Sequence, residues 1–134
     1  MENQYTRYPS GISEEKLSKA LGLYWNNDTQ DWDLVVSDAN RIEEFLKFYL
    51  EKLKDDDDKF TLMGLIISSF DDIAPNFDKD TSKLWDVCRT ILVKECYLHY
   101  STIMYWSLFE NEPDNTFPIS LLMREVWEEV KLNF

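Results

Sequence analysis

His99, with Glu95 four residues and Cys96 three residues before it, is the densest set of chemistry-bearing side chains in the sequence. On a helix the three would share one region, and imidazole, thiolate and carboxylate are all zinc ligands. A structural zinc site needs a fourth ligand, and no second Cys/His pair lies nearby, so the set reads as packing and no metal is expected. Nucleophilic catalysis needs a base beside the nucleophile. His99 is the single histidine, and neither Ser101 nor Thr102 occupies a strand–turn–helix elbow. Cys88 and Cys96 fall on or beside an apolar stripe, where thiols are inert. The run Asp78-Lys79-Asp80-Thr81-Ser82 resembles the start of a calcium loop, but Lys83 stands where the turn glycine belongs and Arg89 where a bidentate Glu is required. Three scattered glycines cannot build a phosphate-binding loop. The chain therefore reads as a non-enzyme without cofactor.

The elements that would position such groups are helical. Ser13 reads as the cap of a first helix with Leu17, Ala20 and Leu21 on one face and Gly22 as its stop. Residues 1–12 precede it as a loose arm. A turn-rich stretch with Trp25 and Trp32 leads to Leu34-Val35-Val36, which reads as a buried connector. Ile42, Phe45, Leu46, Tyr49, Leu50 and Leu53 keep the i, i+3, i+4, i+7 rhythm of an amphipathic helix, capped by Ser37 or Asp38. Asp55 to Asp58 form a solvated turn or open the next helix. Phe60, Met63, Ile66, Ile67, Phe70 and Ile73 then define a helix apolar around most of its circumference, the expected centre of the fold, ended by Pro75. Asp78 or Asp80 caps a fourth helix, with a break near Tyr100 and Ser101. A loop from Glu110 to Pro118 precedes a last helix carrying Leu122, Val126, Trp127 and Val130. The expectation is an all-α, irregular single-domain bundle over residues 1–134, with five or six helices and short connections.

Composition narrows the function. Fourteen Lys and Arg face 26 Asp and Glu, a net charge of -12, while aromatics make up 15%. Nucleic-acid affinity rests on cations that neutralise phosphates, so direct binding of nucleic acid is excluded; an anionic membrane surface would repel the chain likewise. No run of about 18 apolar residues exists. The first ten residues are polar, without the apolar core of a secretory signal, and two cysteines spaced eight apart on one helix cannot meet, so a reducing cytoplasmic location is expected.

What remains is an interaction protein. Carboxylates concentrate at Asp55, Asp56, Asp57 and Asp58, at Asp71 and Asp72, and at Glu110, Glu112 and Asp114, with Trp106 as the aromatic anchor. Aromatic anchors supply binding energy and charges steer encounter, so these are the expected partner-binding residues. The segment Leu98-His99-Tyr100-Ser101-Thr102-Ile103-Met104-Tyr105-Trp106-Ser107, followed by Phe117-Pro118-Ile119-Ser120 and Met123-Arg124, resembles the C-terminal half of small helical immunity proteins of bacterial polymorphic-toxin and contact-dependent inhibition systems. The resemblance covers about a quarter of the chain. It implies a cytoplasmic protein that binds and neutralises a cognate toxin domain, often a basic nuclease, and it carries over no site residue. The alternative is a helical adaptor or regulatory subunit, homodimeric through an apolar helix face.

Leu46→Asp is expected to unfold the domain, because it puts an unpaired charge among apolar side chains. A cooperative thermal melt unchanged by the substitution would refute the face assigned to that helix.

Overall fold

The computed structural model describes residues 2–134 and is all-helical: seven α-helices and no strand among those residues. The chain forms two compact units, one from Tyr8 to Asp72, the other from Ile73 to Phe134 with the segment ending at Arg7. No helix of the described residues is long and apolar enough to cross a membrane.

The Tyr8–Asp72 unit holds α1 (Gly11–Leu21), α2 (Trp32–Val35), α3 (Ile42–Lys52) and α4 (Asp56–Asp71). Its centre is α4, where Leu62, Met63, Leu65, Ile66, Ile67 and Phe70 are all fully buried, with α1, α2 and α3 packed around it. A helix surrounded in this way cannot send its polar groups to water, so each needs an internal partner. Asp58 accepts from the Ser13 hydroxyl at 2.7 Å and pairs with Lys16 at 2.8 Å, holding α1. Thr61 Oγ1 accepts from the Ser10 amide, and Ser69 Oγ from the Asp38 amide at 3.0 Å, fixing the entries to α1 and α3. Around α4, Trp32 Nε1 donates to Ser18 Oγ at 2.8 Å. Arg41 donates to the Leu21 carbonyl at 2.7 Å, the favourable place for a cation at the C-terminal end of α1.

The helix ends differ in detail from the sequence reading. Ser10, not Ser13, caps α1, since its side chain accepts from the Ser13 amide; Ser13 is buried against Asp58. Gly22 ends α1 with φ 68°, a left-handed turn that costs glycine nothing. Asp38 caps the turn leading into α3, and the expected α3 face holds at Ile42, Phe45, Leu46 and Tyr49, whereas Leu50 is 59% exposed and Leu53 lies half-buried past the helix end. Leu34 and Val35 lie exposed on the one-turn helix α2 while Trp32 and Val36 are buried. Of the expected connector Leu34-Val35-Val36, only Val36 faces inward.

The second unit holds α5 (Lys79–Lys94), α6 (Tyr100–Ser107) and α7 (Ser120–Val130). Asp78 caps α5 by accepting from the Thr81 amide at 2.7 Å. The break falls at Glu95–His99, earlier than the Tyr100–Ser101 expected, where Leu98 and His99 both donate back to the Glu95 carbonyl. That break and α2 raise the count from five or six helices to seven. Helix α7 begins two residues after Pro118 and packs on α5 and α6 through Met123, Val126 and Val130. Arg89 spans from α5 to α7, with both Glu129 oxygens at 2.8 Å. Both partners are near 40% exposed, so the pair contributes about 1 kcal/mol at most. The N-terminal segment has no helix, yet Tyr5 stacks on Tyr97 at 5.4 Å and meets Phe134 edge-on at 5.0 Å.

The four aspartates at the start of α4 should separate in a denaturant titration. Asp58→Ala, which strips Ser13 and Lys16 of a buried acceptor, is expected to cost about 2–3 kcal/mol. Asp55→Ala removes an N-cap and should cost about 1 kcal/mol. Asp56→Ala, exposed and uninvolved in capping, loses only a favourable charge near the helix N-terminus and should cost about 0.5 kcal/mol or less.

Candidate protein-binding surface

The ten residues singled out in the sequence divide by what the fold does with them. Asp55 caps α4, its carboxylate accepting from the Asp57 and Asp58 amides. Asp58 is 7% exposed and committed to Ser13 and Lys16. Asp56 and Asp57 are exposed in the first turn, where negative charge suits the helix dipole. Asp71 is half-buried and Asp72 exposed at the opposite end of the same helix. All six belong to the Tyr8–Asp72 unit. In the other unit Trp106 is 3% exposed, while Glu110, Glu112 and Asp114 stand in solvent.

The Trp106 assignment is corrected by burial. On α6 the inward stripe runs His99, Thr102, Ile103 and Trp106, and Trp106 completes it. The exposed aromatic is its neighbour Tyr105, 55% accessible. Trp106 supports it edge-on at 5.2 Å and Phe117 lies nearly parallel to it at 5.8 Å. The helical period carried this signal: 99, 102, 103 and 106 share one face, and 105 lies off it. Of the other tryptophans near loops, Trp32 is 1% exposed and Trp25 half-buried.

The α6–α7 loop is built rigidly. Helix α6 ends at Leu108 in a left-handed turn, φ 50° and ψ 52°, a conformation costly for a residue with a Cβ. Arg124 of α7 holds it. Its Nε donates to the Ser107 carbonyl at 2.8 Å, and Nη2 donates to Leu108 at 2.7 Å and Asn111 at 2.9 Å. The guanidinium sits over the Phe109 ring, 5.2 Å from its centroid. One cation thus satisfies the end of α6 and offsets its negative pole. Further along, Asn111 Nδ2 donates to the Asn115 carbonyl and the Thr116 hydroxyl to the Pro113 carbonyl. The Phe117 amide then donates to Ser120 Oγ at 3.0 Å. On this frame Glu110, Glu112 and Asp114 form no ion pair with the described residues, whereas Glu128 and Glu129 on α7 are paired with Lys131 and Arg89. Phe109, 42% exposed, stands beside them.

His99 is fully buried, and burial pushes the Cys88 thiol far above its usual range, against thiolate formation. Both cysteines are buried and unbridged. No group of three or more His, Cys, Asp or Glu among the described residues is placed to hold a metal ion.

One carboxylate pair in the first unit is held against its ordinary tendency to ionise. Burial raises the Asp33 carboxyl above its usual value of 3.8, and neighbouring Asp31 adds to it while the Leu34 amide opposes. Glu14 is raised by burial first and by Asp33 second. The folded unit therefore holds these protons more tightly than the unfolded chain. Stability falls as pH rises from the ordinary carboxylate range to the raised values, and the deficit persists at neutral pH. Asp33→Asn, which keeps an oxygen for the Leu34 amide, should raise stability at pH 7 and leave it unchanged near pH 3. Urea midpoints at both pH values check this; an equal effect at each would show that charge is not the cause.

No family model matches the chain, and neither a curated protein nor a solved structure is similar enough to it to count as a match.

Proposed function

We propose that the chain is an acidic, protein-binding inhibitor, an immunity-type protein that neutralises a basic partner such as a nuclease toxin domain by covering its active site. The observation that carries this reading is the α6–α7 loop, with three exposed carboxylates on a hydrogen-bonded frame that follows the exposed aromatics Tyr105 and Phe109 in the chain. A loop fixed before contact loses little entropy on binding, so more of the contact energy appears as affinity. The net charge of -12 acts at longer range, speeding encounter with a cationic surface. A nuclease site is cationic because it must hold phosphates, and carboxylates are the natural competitors for those cations. The cytoplasm, where such a toxin would act, is the proposed location. The alternative, a homodimeric adaptor, draws on the exposed apolar side chains Leu50 and Leu132; it requires a dimer in light scattering.

The test is capture from a host lysate on immobilised chain, with elution by a salt step. Screening shortens from about 10 Å at 0.1 M salt to about 3 Å at 1 M, so a steered contact should release in that interval. The expected result is one basic protein, released by salt, whose catalytic activity the chain suppresses. The same protein should be lost from a Glu110→Gln, Glu112→Gln, Asp114→Asn triple variant that melts like the wild type. Capture indifferent to both salt and the triple variant would sink the electrostatic mechanism.

A further inference from the structure

We propose that Tyr105, backed by Phe117 and flanked by the acidic loop, receives an arginine side chain from a basic segment of the partner protein. The proposal rests on the inhibitor reading and names the chemistry of its contact. Tyr105 is the exposed member of a three-ring cluster, with Trp106 against Phe117 at 5.1 Å and both against Tyr105. Its ring orientation is thus set before a ligand arrives. A preset aromatic surface that contacts, through Phe117, the end of a loop with three exposed carboxylates suits a planar cation, which can stack on the ring while its N–H groups turn to oxygen acceptors.

The loop already holds one guanidinium in this way. Arg124 stacks over Phe109 while donating to three carbonyls of the same segment. The hydrogen-bonded turn that carries Asp114 runs from Pro113 to Thr116, immediately before Phe117 in the chain. A lysine ammonium would meet the charge requirement without stacking as a plane. Other occupants are disfavoured by charge. A second copy would bring its own excess of carboxylates to an acidic surface, and a nucleic acid would bring phosphates.

The test uses the intact chain, isotope-labelled, titrated with capped hexa-arginine and hexa-lysine peptides at matched ionic strength. The expected result is amide shift changes centred on Tyr105 and residues 109–117, with the arginine peptide bound about fivefold more tightly than the lysine peptide. Tyr105→Ala should erase that preference and Tyr105→Phe should keep it. Equal affinity for the two peptides, or shifts centred on Asp55–Asp57, would overturn the proposal. If Tyr105→Ala does not fold, the shift map and the peptide preference of the wild type still decide the question. The inhibitor reading fails or stands separately, in the capture experiment. A basic partner held through the loop carboxylates but indifferent to Tyr105→Ala would leave that reading intact and refute this one.

Discussion

A helix buried on every side imposes conditions on everything packed against it, and α4 is such a helix. From Asp58 to Phe70 nearly every side chain is out of water, including the polar Asp58, Thr61, Ser68 and Ser69. An unsatisfied buried hydroxyl or carboxylate costs about as much as several good contacts return, so Asp58, Thr61 and Ser69 require partners from the surrounding segments. The partners they find set where α1 and α3 begin. The polar minority of α4 thus determines the arrangement of its neighbours, while the apolar majority supplies the driving force.

The second unit solves a related problem with a cation. Helix α6 ends in a left-handed turn at a leucine, leaving carbonyls and a negative pole at the start of a long loop. Arg124 answers all of these at once and lays its charge over Phe109. Its donors go to backbone carbonyls rather than to the carboxylates of the same loop.

Charge on this chain does two kinds of work, and a count of acids cannot separate them. Asp55 and Asp58 are consumed by the fold, one in capping α4 and one in anchoring α1. Asp33 and Glu14 sit where burial opposes their ionisation, a standing cost at neutral pH. Glu110, Glu112 and Asp114 do neither and remain in solvent. A run of four adjacent aspartates drew attention as a binding patch, yet half of it is structural; the sparser acids of the loop are the better candidates for a partner.

The sequence by itself determined the helical class, the central helix α4 and most of the α3 face, because 3.6-residue periodicity records which side of a helix meets apolar neighbours. It also narrowed the caps to Ser37 or Asp38 and to Asp78 or Asp80, of which the fold uses Asp38 and Asp78, and it determined the stop at Gly22, all local matters of backbone donors and conformational freedom. The tertiary structure alone decided that Asp58 is a buried anchor and that Arg124 closes the end of α6 from sixteen residues away. Each of these depends on a partner remote in sequence: Ser13 and Lys16 for Asp58, the carbonyls of another helix for Arg124. Periodicity reports the direction in which a side chain points, and only packing decides what waits there.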